Sequence, residues 1–192
     1  MACLLGRGAP LSQRGLIEPM EPSVWQELYD YNFWANRRVW ASVMALDEAL
    51  FDRSLGGDRH SLRVQCIHML AVEYWWLHFL ETGVVEFLEE DRYVTRAEVR
   101  AAWDEVEAMV RAYLATLTPA DLARTVRPTF WQDPWSVLAW QGLMQVINHS
   151  TDHRAQLLDT VRELGGPTDE QDYLTFLHER AMNALGPDVR PV

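Results

Sequence analysis

Two histidines four residues apart, His149 and His153, lie in a long run that reads as helix, and a third, His68, lies in an earlier helical run. Side chains four apart on a helix sit one turn above each other on the same face, so both imidazoles can reach one ion. A neighbouring helix must then supply the third ligand. The positions sharing a helical face with His68 are Val64, Ala71, Val72, Trp75 and Phe79, which predicts that this histidine points into the core. Around the pair, Gly142, Val146, Leu157 and Thr160 make a similarly small or apolar surface, so all three rings are expected to converge on the bundle interior. Three neutral imidazoles on a divalent ion leave at least one coordination position open, the pattern of a reactive site rather than a closed structural one. The plainer reading stands beside this one. A lone inward histidine is more often a satisfied core residue than a ligand, and His-x3-His pairs arise on helices by chance.

The segment His149-Ser-Thr-Asp-His153 has no Glu after its first histidine and so lacks the general base of the HExxH peptidases. Peptidase chemistry is disfavoured. Ligating histidines usually donate their second ring N–H to a carboxylate, carbonyl or water. Glu73, Asp152, Asn32, Asn36 and Gln156 are the candidates for that role. Glu73 is five residues from His68, on a different part of the helix, and suits a buried ion pair with Arg37 or Arg154 equally well. Asp152 should face solvent.

The elements that would position these groups follow from periodicity. Glu21-Pro22-Ser23 reads as a helix entry with Ser23 as cap, followed by a stripe of Trp25, Tyr29, Phe33, Trp40 and Met44 and an end near Leu46. A break at Gly56-Gly57-Asp58 precedes a second amphipathic helix that carries His68, Tyr74, Trp75, Trp76 and Phe79 and stops at Thr82-Gly83. Thr95-x-x-Glu98 predicts a capping box for a third helix through Val99, Trp103, Val106, Val110 and Leu114. Thr118-Pro119 lies at its end. Between Leu122 and Pro134 the periodicity fails, which predicts a short hairpin or an irregular crossover. Its Phe130 and Trp131, with the adjoining Trp135, would line an opening above the metal, cap the bundle, or join a dimer contact. The last long helix is expected from about Ser136 to Leu164, ended by Gly165-Gly166-Pro167, with a short final helix around Asp172–Leu177.

The residues Tyr31-Asn32-Phe33-Trp34-Ala35-Asn36, then His68 with Glu73 and Trp76, then His149-Ser-Thr-Asp-His153-Arg154-Ala-Gln156, resemble the DinB-like proteins in content and order. The resemblance runs from about residue 22 to 180. It implies an all-α, up-down-down-up four-helix bundle with a crossover segment before the last long helix and a short C-terminal helix. It also implies frequent homodimers and a divalent ion, zinc or nickel foremost, on His68, His149 and His153. The characterised branches of the family imply an S-transferase that uses a low-molecular-weight thiol of the bacillithiol or mycothiol type, in detoxification or stress response. A metal-dependent hydrolase is a variant on the same ion. A metal-binding stress protein without turnover, which dimerises or binds a partner, is the reading from another class.

Composition agrees with one domain, expected over residues 21–185 after an N-terminal extension of residues 1–20. A chain of 192 residues that is 48% hydrophobic and holds nine tryptophans can bury one sizeable core. A formal net charge of −11 offers nothing to nucleic-acid phosphates. All 17 basic residues are arginine, which we attribute to coding bias rather than to a recognition surface. Cys3 and Cys66 suggest no disulfide framework. Cys66 is about 200° around the helix from His68 and is expected as a small buried hydrophobe. No signal-peptide core or membrane span stands out, so a soluble cytoplasmic protein is expected, with Met20 a plausible start.

Overall fold

The structure, a computed structural model, describes residues 20–56 and 60–184. The N-terminal extension up to residue 19, with Cys3, and Gly57 and Asp58 of the expected break lie outside the described residues. Four long helices form the body: α1 (Pro22–Met44), α2 (Leu62–Thr82), α3 (Arg96–Ala115) and, after a short α4 (Pro119–Ala123) and a two-stranded hairpin, α5 (Ala139–Glu163). Strand β1 (Thr125–Val126) pairs antiparallel with β2 (Val137–Leu138), and α6 (Tyr173–Ala184) packs back on α1.

Local chemistry accounts for the helix ends. Pro22 occupies the first turn of α1, where its missing N–H is no loss and its fixed φ suits the helix. Glu21 stands at the cap position without a side-chain cap bond, so the expected cap at Ser23 lies one residue inside the helix. Ser61 caps α2 through the Val64 N–H, and Gly83 closes it in the left-handed region at φ 78°. The expected box at α3 is present, with the Thr95 hydroxyl accepting from the Glu98 N–H and the Glu98 carboxylate accepting from the Thr95 N–H at 2.8 Å. A second box, Thr118 with Asp121, starts α4. Helix α5 begins three residues later than expected because Val137 and Leu138 are spent on the hairpin.

Contacts between helices set their directions. Trp25 meets Trp140 at 6.3 Å between ring centroids and Tyr29 donates to the Leu143 carbonyl at 3.2 Å, so α1 and α5 run parallel. Gln26 donates to the Leu114 carbonyl at one end of α1, and Arg96 donates to the Val43 and Leu46 carbonyls at the other, so α3 is antiparallel to α1. His68 faces His149 while Trp76 faces Gly142, so α2 is antiparallel to α5. The result is an up-down-down-up bundle. Its core includes Trp25, Tyr29, Phe33, Leu70, Leu77, Leu80, Val110, Leu143 and Val161, all buried.

Parallel α2 and α3 must be joined by a segment that travels back along the bundle. Residues 83–95 do this as a strap laid against α2: Glu86 accepts from the Tyr74 hydroxyl, Phe87 contacts the Trp75 ring, and the Tyr93 carbonyl accepts from Arg63. The segment before α5, expected as hairpin or crossover, is the hairpin. Antiparallel α3 and α5 need no lengthwise return there.

Candidate metal centre

His68 on α2 and His149 and His153 on α5 come together. Their ring centroids are 5.0 Å apart for His68 and His149, 4.7 Å for His68 and His153, and 4.3 Å for His149 and His153. One nitrogen from each lies within 4.8 Å of the others. The Nε2 atoms of His68 and His149 are 3.1 Å apart. Two nitrogens bound to one tetrahedral zinc at ~2.05 Å would stand about 3.3 Å apart, close to the spacing of this pair, and the three rings could converge on a divalent ion. Among the described residues, no carboxylate or thiol joins this cluster.

The cluster does not sit in the bundle interior. His68 is exposed and His149 and His153 are half-buried, so the rings stand at the surface in the groove where α2 packs on α5. The reason is that α2 buries residues around most of its circumference. Cys66, Ile67, Met69, Leu70, Glu73, Leu77 and Leu80 are buried, while Val64, Val72 and Trp75 of the expected core face are only half-buried.

Two of the three imidazoles, His149 and His68, are tuned toward the neutral form that binds metal. Burial, followed by the neighbouring His153 and His68 rings, pushes His149 down to about 4. Burial and His153 also lower His68, while Glu90 opposes them and His60 adds to them. His149 Nδ1 is buried without a hydrogen-bond partner, so the carboxylate support expected for a ligating histidine is missing here. Asp152 faces solvent as expected and accepts from Gln156 at 3.0 Å. Neither touches the cluster.

Asn32, Asn36 and Glu73 lie behind the groove, inside the bundle. Arg154, only 1% exposed, donates through Nη1 to the Oδ1 atoms of Asn32 and Asn36, the latter at 3.0 Å, and through Nη2 to the Thr151 hydroxyl at 2.9 Å. Burial raises Glu73 to about 7 although the Arg154 charge draws it down and Glu107 pushes it up. Arg37, the other expected partner of Glu73, pairs with Glu107 instead. The Tyr31–Asn36 segment therefore serves two faces. Its asparagines hold Arg154, while Tyr31 donates to the Gln171 carbonyl and Trp34 to the Glu179 carboxylate, both at 2.9 Å, clasping α6. Sequence reasoning missed His60 and Glu90, whose charges reach His68 from irregular segments where no periodicity marks them. It also missed Gln65, which donates to the Thr160 hydroxyl at 3.2 Å and ties α2 to α5 one turn from His68.

The expected aromatics do not cover the histidines. Phe130 contacts Trp75 and Phe87, and Trp131 contacts Trp76 and stacks on Trp135 at 4.3 Å. These rings gather two helical turns along α2 from His68. Two clefts of about 320 Å³ each, one between α1, α3 and α6 and one between α1 and α3, share Asp30 and Arg111. Their arginines are already paired, Arg111 with Asp30 and Glu107, and Arg180 with Glu27. No helix among the described residues is long and apolar enough to cross a membrane.

The fold and the family are shared with known proteins. A DinB-like protein from Bacillus cereus superposes with a TM-score of 0.62 at 15% identity, covering 81% of this chain and 99% of that one. YfiT from Bacillus subtilis, described as a probable metal-dependent hydrolase with an unusual four-helix bundle topology, gives 0.58 at 16% identity, covering 81% and 96%. The DinB-like YjoA of the same organism gives 0.58 at 16%, covering 73% and 92%. No protein of curated function matches. The sequence profile of the DinB family matches residues 19–185, a range that contains the whole bundle described above, and the chain belongs to that family.

Proposed function

We propose that this protein is a divalent-metal enzyme whose ion is held by His68, His149 and His153, and that it transfers a low-molecular-weight thiol of the bacillithiol or mycothiol type to an electrophile. The observation that carries this reading is a three-imidazole cluster in a surface groove with no carboxylate in it. Held there, a divalent ion supplies Lewis-acid chemistry and lowers the pKa of a thiol or water at its open position. A thiol, with an ordinary pKa of about 8.5, needs only a small push to ionise near neutral pH and no protein base beside it. Water starts far higher and is served better by a nearby general base. The chain's own thiol is not the nucleophile. Cys66 is buried on another face, and burial pushes its pKa up well beyond the usual thiol range.

A hydrolase is the second reading, favoured by the description of YfiT. The residues of this chain would act alike in both cases. His68, His149 and His153 hold the ion, the groove admits the substrate, and Arg154 keeps α5 in register. The test is elemental analysis of the purified protein and of His149→Ala, followed by thiol-transfer and ester-hydrolysis assays on loaded protein. About one equivalent of metal, lost in the variant, with thiol-dependent turnover is expected. Loaded protein that hydrolyses esters without thiol would replace transfer by hydrolysis, and protein that resists loading would refute both.

A further inference from the structure

The groove does not end at the histidines. On one side of them Gln65 donates to Thr160 and ties α2 to α5, and on the other the same line of α2 passes through Val72 to Trp75, both half-buried. Trp75 lies seven residues from His68, nearly on the same line of the helix and about 10 Å along its axis. Two segments from elsewhere in the chain bring rings to it. Phe87 of the strap contacts Trp75 at 6.0 Å and Phe130 of the hairpin at 5.4 Å, and these two meet each other at 5.6 Å. Phe87 is nevertheless 58% and Phe130 43% exposed. Three segments thus converge to leave apolar rings open to water beside a site with reactive donor groups, an arrangement that marks a binding surface.

The surrounding charge narrows what can lie there. The strap that carries Phe87 also carries Glu86, Glu89, Glu90 and Asp91, all exposed, and no cation before Arg92, which pairs with Glu89. The nearby Arg127 is turned to the carbonyl of Trp131 in its own segment. An anionic body is repelled from such a rim, while a neutral flat one meets ring edges and faces that favour it.

We infer that Trp75, Phe87 and Phe130 form a shelf that seats an uncharged aryl or short alkyl body of the substrate, about 10 Å from a reacting end held at the histidine cluster. This rests on the metal reading above and adds to it a substrate class, that of neutral amphipathic electrophiles with an apolar body.

The test uses the full chain loaded with zinc, its content checked by elemental analysis, and three metal-chelating probes: acetohydroxamic acid, 4-phenylbutanohydroxamic acid and the monohydroxamic acid of adipic acid. Binding is read by titration calorimetry and tryptophan fluorescence. The phenyl tail is expected to tighten binding about tenfold or more over the acetyl probe, and the carboxylate tail to give no gain. Combining Phe87→Ala with Phe130→Ala should remove that gain and leave zinc content and acetohydroxamate affinity unchanged. Equal affinity for all three probes in zinc-loaded protein would overturn the shelf and spare the metal site, whereas protein that takes up no zinc would overturn both. Sedimentation analysis covers the remaining case: a dimer that the double variant converts to monomer would assign these rings to self-association and refute the proposal.

Discussion

Glu73 is the most informative single position to perturb, because its carboxyl is only 4% exposed, one of its oxygens has no partner, and its pKa is displaced from 4.5 to about 7. Burial dominates over the favourable Arg154 charge, so the folded chain holds the proton more tightly than the unfolded chain does. Stability from this group is then fully present below pH 4.5 and is lost as pH rises through 7. Each pKa unit corresponds to about 1.4 kcal/mol, and between pH 5 and pH 8 these two values predict a loss of about 2–3 kcal/mol. Glu73→Gln has nothing to titrate and should escape the loss. Urea unfolding of metal-free wild type and variant at pH 5, 6, 7 and 8 isolates the effect, since other titrating groups cancel in the difference. Relative to the variant, wild type should weaken by about 2–3 kcal/mol across this range, or roughly 4–12 °C in Tm. A difference independent of pH would refute the displaced pKa. A wild type that gains on the variant as pH rises would show that Arg154 wins and holds the carboxyl ionised.

Arg154→Ala should cost about 2–4 kcal/mol by urea unfolding, because it leaves Asn32 and Asn36 buried without their partner and opens a cavity where the side chain packed, and metal affinity should fall although no ligand changes. Arg154→Lys should not restore either property, since one ammonium cannot reach the asparagines and Thr151 together. Gly142→Ala places a methyl 3.0 Å from the Trp76 ring and should cost about 1–3 kcal/mol with a shifted tryptophan emission. Thr95→Ala should lower stability by about 1 kcal/mol through loss of the α3 cap, read as a lower urea midpoint at unchanged slope.

The helices were legible because their signals are local. A capping box spans four residues from Thr95 to Glu98, a left-handed stop needs one glycine at Gly83, and the periodicity of α3 and α5 repeats within each helix. The pairing of His149 with His153 was legible for the same reason, and His68 was identifiable as their partner from another helix. The exposure of His68 was not. A helical wheel separates faces only when one is polar, and α2 is apolar nearly all round, so the wheel could not tell the face turned to α3 and the core from the face left open beside α5. The course of the strap was hidden too, since nothing local in residues 83–95 says that they run back along α2 and bring Phe87 and Glu90 to the groove.

Arg154 explains why residues on α1 that touch no metal belong to the same signature as the histidines. Adjacent positions on a helix point about 100° apart. Once Arg154 is locked inward between Asn32 and Asn36, one turn apart on α1, His153 and, one turn before it, His149 are turned toward α2 and the groove. The two asparagine bonds fix both the rotation of α5 and its height against α1, and on the proposed reading two imidazoles must share an ion with a third from another helix. An error of one position in either would swing a ring out of reach. The buried cation, with its partly unsatisfied partners, is therefore a cost in stability that the bundle carries for register: an apolar residue in its place would pack equally well at several rotations, and only one of them assembles the site.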